Sequence, residues 1–130
     1  MRYYLVLFLF ISTFSWSQVQ LLTPEEMQAV ILQQEIELID VRTVEEFNEA
    51  HIEGAQNLVF DEEFEDKIQN LDTTKTIVVY CQTANRSKLC SEILQEKGFN
   101  KILELKGGLD QWILEGKPIK EQENKSDSND

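Results

Sequence analysis

The chain has 130 residues, 12 of them basic and 24 acidic, for a formal net charge of −12. That length suits one domain rather than two, and an apolar share of 42% with 28% charged residues is that of a folding chain, not a disordered one. So acidic a surface repels nucleic acid and anionic lipid, which means that any anion site must be built locally; two cysteines and one histidine are too few for a zinc centre of soft ligands.

Arg2 is followed by a nearly unbroken apolar run, Tyr3 to Phe14, and then by Ser15-Trp16-Ser17-Gln18. A positive start, a short apolar stretch and small residues two apart predict a secretory signal peptide over residues 1–17, cleaved after Ser17. A spanning helix needs roughly 20 apolar residues, so membrane contact is expected only through this transient leader. The protein is therefore expected to be exported, which in a double-membrane bacterium means the periplasm. The domain proper is expected over residues 18–118.

Thr23-Pro24-Glu25-Glu26 reads as a capping box with proline at the first helical position, and Met27, Val30 and Ile31 follow at helical spacing. Glu35 to Val41 reads as a strand ending in Asp40-Val41-Arg42. A second capping box, Thr43 to Glu46, opens a short helix through Phe47 to Ala50. His51 to Ala55 is a turn into a short strand, Gln56 to Val59, and residues 61–70 read as helical. Thr76 to Tyr80 is β-branched and aromatic, as a fully buried parallel strand should be. A helix is predicted from Ser87 to about Lys97 with Gly98 at its C-cap, then a strand, Lys101 to Leu105. Lys106-Gly107-Gly108 turns into a last helix, Leu109 to Glu115. Residues 119–130 are polar and acidic, and are expected to be disordered. Strands alternating with helices predict a small α/β domain with a parallel, doubly wound sheet. Ligands in such folds bind at the carboxyl ends of strands.

Cys81 is the first residue past the most hydrophobic strand. The short stretch Cys81-Gln82-Thr83-Ala84-Asn85-Arg86-Ser87 must curl tightly, so its amide N–H groups are expected to form an anion-binding nest. The helix behind it adds unpaired N–H groups and the positive end of its dipole. Arg86 adds a permanent positive charge. All three favour a thiolate, the nucleophilic form, on a residue expected to face a cleft. Cys90 lies among Leu89, Ile93 and Leu94 and reads as a buried small hydrophobe. A disulfide between the two is not favoured by the geometry that such a bridge demands.

In this order and spacing, four stretches are similar to the rhodanese-like sulfurtransferases in their single-domain, exported form. They are Asp40-Val41-Arg42 with Glu45-Glu46-Phe47, His51 to Ala55 with Asn57, the loop Cys81 to Ser87 after Ile77 to Tyr80, and Lys106-Gly107-Gly108 before Trp112. The resemblance spans Thr23 to Pro118. It implies a central parallel five-stranded sheet with helices on both faces. It also implies that Cys81 takes a sulfane sulfur from a small anionic donor such as thiosulfate, then hands it as a persulfide to cyanide or a thiol, including a protein thiol. Gln82, Thr83, Ala84, Asn85, Arg86 and Ser87 would cradle that persulfide, Arg86 also holding the loop and binding the donor. Asp40, Arg42 and His51 match architectural positions, with Arg42 expected to pair with Glu46 and His51 to be a hydrogen-bonded turn residue. No cofactor or metal is implied. The chain departs from the family at Ala84 and Ala50, where glycine is usual.

Three rivals remain open on the residues. Phosphatases and arsenate reductases of related fold carry Cys-x5-Arg, whereas Cys81 and Arg86 have four residues between them, leaving room for one sulfur rather than a tetrahedral oxyanion. A non-catalytic rhodanese-like module would bind a partner protein. A thiol redox protein would use Cys81 with Cys90 resolving.

Overall fold

A computed structural model describes residues 18–33 and 35–122. The predicted leader and residues 123–130 of the predicted tail lie outside the described residues. In chain order the elements are β1 (Val19–Leu22), α1 (Pro24–Ile31), β2 (Ile36–Asp40), α2 (Val44–Glu49), β3 (Ala50–His51), β4 (Gln56–Asn57), α3 (Phe64–Ile68), β5 (Thr76–Tyr80), α4 (Asn85–Glu96), β6 (Ile102–Leu105), α5 (Gly108–Leu114) and β7 (Lys120–Glu121).

Both capping boxes form. Thr23 Oγ1 accepts from Glu26 N–H and Glu26 accepts from Thr23 N–H, and Thr43 with Glu46 does the same. Each starts its helix where the sequence said it should.

Five strands pair in the order β1-β6-β5-β2-β4, every neighbour parallel. Period-two alternation splits the sheet's side chains between two cores. Ile39, Ile77, Val79 and Ile102 face α3 and α4, meeting Phe64, Ile68, Cys90 and Leu94. Leu38, Val78, Tyr80 and Leu105 face α1 and α5, meeting Met27, Leu109 and Trp112. Helices therefore cover both faces, as the α/β reading requires. β5 lies at the centre of the sheet, so its carboxyl end opens between β2 and β6.

The sequence differs from the structure at the margins. β1 carries no signal of its own, being four residues paired only to β6. The helix predicted over 61–70 shortens to Phe64–Ile68, because Asp61 accepts from Glu63 N–H and holds a turn there. The tail is ordered further than expected: Ile119 packs against the core beside Trp112, and Lys120–Glu121 pair antiparallel with Ala50–His51. Trp112 Nε1 donates to Pro118 O at 2.9 Å and Gln122 N to Glu49 O at 3.1 Å, which bring the strap in against the open edge of β3.

Candidate active site

Cys81 follows the buried strand β5 and is itself 1% exposed, not open to a cleft as its position at the strand end suggested. The loop folds over it. Only residues 81–84 separate β5 from α4, because α4 begins at Asn85 rather than Ser87. Arg86 and Ser87 thus belong to the helix's first turn. The amide that reaches the sulfur is Ser87 N–H, 3.4 Å from Cys81 Sγ, and Ser87 Oγ lies 3.5 Å away. This N–H is one of the helix's free N-terminal donors, so a charge on the sulfur is met by the helix terminus.

The loop is fixed from below. Val41 N donates to Tyr80 O at 3.1 Å, Leu109 N to Cys81 O at 2.8 Å, and Asp110 N to Gln82 O at 3.1 Å. Gly108 makes the last two contacts possible, since a Cβ there would lie 2.5 Å from Gln82 O and 2.7 Å from Cys81 O.

Ala84 precedes α4 with φ +77°, the only non-glycine residue at positive φ among the described residues. The loop therefore keeps the left-handed turn that glycine would favour. Ala84→Gly is expected to stabilise the fold by up to about 1 kcal/mol, the relief of the left-handed penalty exceeding the added freedom of the unfolded chain. Paired denaturation curves check this; a destabilised glycine variant would show that the turn carries no strain.

Two arginines organise the rim, and not in the expected pairing. Arg42 does not pair with Glu46. Its Nη2 meets Asp40 Oδ2 at 2.8 Å and Ala50 O at 2.6 Å, while Nη1 donates to Gln82 Oε1 at 2.9 Å. Asp40 wins because it sits two residues back with its charge buried, where a partner matters most. Glu46 instead takes Arg86 in a two-pronged pair, 2.8 and 3.0 Å, across 40 residues of sequence. The Arg86 hydrogen bonds hold Glu46 down to about 2, against the opposing effect of burial, and Glu46 in turn raises Arg86. Half-exposed pairs of this kind contribute about 1 kcal/mol at most, so its chief effect is to tie the start of α4 to α2. Gln82 completes the frame through its side-chain amide, which donates to Asp110 on α5.

His51 is engaged with its own neighbourhood. Its Nδ1 lies 2.7 Å from Phe47 O and its ring stacks on Phe47 at 3.8 Å. Asn57 Nδ2 donates to Asp40 O and Arg42 O at 3.1 and 2.9 Å, bracing the end of β2. Thr83 on the loop and Asn85 at the start of α4 are exposed, Asn85 Nδ2 donating to Thr83 Oγ1 at 3.3 Å. Cys90 is fully buried on α4 and both cysteines are free. Burial, helped by the nearby Cys81 and Glu104, pushes the Cys90 thiol up to about 12. Native protein treated with iodoacetamide is therefore expected to take up one equivalent, at Cys81, and two after unfolding in guanidinium chloride. Native modification of Cys90 would contradict its place in the core.

Sequence reasoning passed over Glu104, a buried acid on β6. The period-two pattern that places it on the same face as Ile102 was the available signal.

A parallel α/β sheet with a thiol at the carboxyl end of its central strand, held under a helix N-terminus by a short loop, defines a domain class built to present sulfur. The chain belongs to the rhodanese-like domain family, whose model matches residues 23–115. It is 35% identical over 91 residues to the protein YqhL of Bacillus subtilis, covering 70% of each chain. It is 32% identical over 77 residues to the thiosulfate sulfurtransferase GlpE of Shewanella oneidensis, covering 59% of this chain and 75% of that one. The solved structure of a rhodanese-related protein from Thermoplasma volcanium superposes with a TM-score of 0.70 at 28% identity, covering 78% of this chain and 97% of that one.

Proposed function

We propose that the protein is a sulfurtransferase that carries a sulfane sulfur on Cys81. The observation that carries this reading is the Cys81 sulfur beneath Ser87 N–H, at the N-terminus of α4, with four residues between Cys81 and Arg86. The named activity of the Shewanella relative supports thiosulfate as a donor.

The chemistry balances without a cofactor. The Cys81 thiolate attacks the outer sulfur of thiosulfate. A new S–S bond forms, the donor's S–S bond breaks, and its electron pair leaves with sulfite. Cys81 then holds one extra sulfur as a persulfide anion, its charge met by the helix terminus. Cyanide or a thiolate attacks that outer sulfur, the bond to Cys81 breaks, and the electron pair restores the thiolate. As part of the same proposal, the leader predicted from residues 1–17 supports export of the protein, to the periplasm in a double-membrane bacterium.

Intact-mass measurement on the mature protein tests it. Thiosulfate is expected to add one sulfur, cyanide to remove it, and Cys81→Ser to abolish the gain. No gain from thiosulfate, an organic persulfide or polysulfide would overturn the reading. Turnover of the serine variant is expected to fall at least about a thousandfold, since the reaction then lacks its covalent carrier.

A further inference from the structure

The leader predicted over residues 1–17 ends at Ser17, so its removal makes Gln18 the first residue of the exported chain. A free α-amino group and a side-chain amide then meet on one residue. Glutamine has the length for its own amine to reach its side-chain carbonyl carbon in an unstrained five-membered ring. Asparagine, one methylene shorter, would need a strained four-membered one.

The fold leaves Gln18 free to close that ring. It is exposed and lies one residue before β1, whose pairing begins with Val19 opposite Ile102. Val19 packs against the core and fixes where the new terminus stands. β1 is the edge strand of the sheet, with β6 its one neighbour. Ring closure consumes the Gln18 amine and side chain only, and leaves the β1–β6 pairs untouched.

The charge around Gln18 favours the same reaction. Gln18 lines a cleft at the amino ends of the strands, together with Gln20, Val30, Gln33, Thr76 and Lys101. Lys101 is the only ionisable side chain among the described residues of that cleft, so no carboxylate there meets a terminal ammonium. Lys101 stands one residue before Ile102, as Gln18 stands one before Val19, which brings the two positions to about 5 Å across the parallel pair. A like charge at that range favours the neutral amine, which is the nucleophile.

We propose that Gln18 is a modification site: once the leader is removed, it closes to an N-terminal pyroglutamyl residue. The Gln18 amine nitrogen attacks its own Cδ. A C–N bond forms, the bond from Cδ to Nε2 breaks, and Nε2 leaves as ammonia with the proton that the amine gives up. Nothing is oxidised or reduced and no co-reactant is consumed; a glutaminyl cyclase accelerates the same step. The product carries no terminal charge. It relieves Lys101 of a like neighbour. It also removes the amine that an aminopeptidase must grip, at a terminus where trimming would strip the edge strand from the sheet. The proposal rests on the leader reading and is independent of sulfur transfer at Cys81.

The test is the mass and sequence of the N-terminus. The protein is isolated from the cells that export it, and its N-terminal peptide is mapped. The peptide is expected to begin at position 18, about 17 Da lighter than its encoded sequence through loss of ammonia, and to resist Edman degradation until a pyroglutamyl aminopeptidase opens it. Recombinant mature protein with an open terminus is then treated with glutaminyl cyclase. The parent is expected to lose the same mass, and Gln18→Ala to lose none.

An open Gln18 on the exported protein would overturn the modification and leave the leader reading standing. Retention of residues 1–17, or a terminus at any other residue, would overturn both. A parent chain that the cyclase leaves unchanged would show that the fold withholds Gln18, and would overturn the proposal as well. Sulfur loading by thiosulfate is expected to be equal for the open and closed forms; failure of loading in both would sink the transfer reading alone.

Discussion

Gly108→Ala is expected to destabilise the protein by about 3 kcal/mol, whereas Gly116→Ala is expected to cost about 1 kcal/mol. The two glycines share nearly one backbone conformation, φ +65° and +70°. Both substitutions therefore incur the same left-handed penalty. They differ in what surrounds them. A Cβ at Gly116 meets nothing within 4 Å, while one at Gly108 meets Gln82 O, Gln82 C and Cys81 O at 2.5 to 2.7 Å. Those atoms are backbone, so no side chain can swing aside. Either α5 backs away, losing the Leu109 and Asp110 hydrogen bonds to the loop, or the loop carrying Cys81 is displaced. Both routes move the sulfur relative to Ser87 N–H. Sulfur loading is accordingly expected to slow by about a hundredfold, the scale that a displacement of about 1 Å can impose on a positioned reaction. Gly116→Ala should leave loading intact. Denaturation curves and loading rates on the two variants decide it: equal losses at both positions would mean that the close approach of α5 to the loop is not what fixes Cys81.

How far the sequence speaks depends on how local each signal is. The capping boxes at Thr23 and Thr43 are four-residue patterns, and both helices start on them. The run Thr76 to Tyr80 is apolar on both faces, and it is the central strand. Cys81 is legible from the end of that strand, whereas α4 has no side-chain cap and begins at Asn85, two residues before the expected Ser87. The partners of the charged residues were not legible. Arg42 and Glu46 stand four apart, the spacing of a helical pair, yet Arg42 lies before the helix and points back to Asp40. The true partner of Glu46 is Arg86, brought near only when β5 and β2 pair. The strap at Lys120–Glu121 is equally non-local, since its polar sequence carries no strand pattern and its order comes from Ile119 and the edge of β3.

Ala84 and Glu104 share a physical character. Each breaks a local rule: one is a side chain at positive φ, the other an acid in an apolar layer. Strain and buried polarity are held in place by a rigid surrounding frame, and they gather where a fold performs its chemistry. Here the frame consists of β5 beneath the loop, α5 packed against it and the Arg86–Glu46 tie at its rim.

Arg42→Ala is expected to be the most damaging substitution outside the loop, lowering stability by about 3–5 kcal/mol. A small domain has about 5–15 kcal/mol in all, so the variant is expected to be close to unfolding at growth temperature. The cause is the charge left behind. Asp40 is fully buried and its carboxylate receives the Arg42 Nε, Nη2 and backbone N–H groups. Without the guanidinium the carboxylate keeps one backbone donor, and Ala50 O and Gln82 Oε1 lose theirs. Replacing both charges, Asp40→Leu with Arg42→Met, removes the orphaned ion and is expected to recover more than half of the loss. It cannot restore the Gln82 tether, so sulfur loading should stay low while stability returns. That divergence separates the two contributions of Arg42. Stability belongs to the buried pair with Asp40, and loop geometry to the reach of Nη1 across to Gln82. If the double variant regained loading along with stability, Gln82 would be held well enough by Asp110, and Arg42 would serve the fold alone.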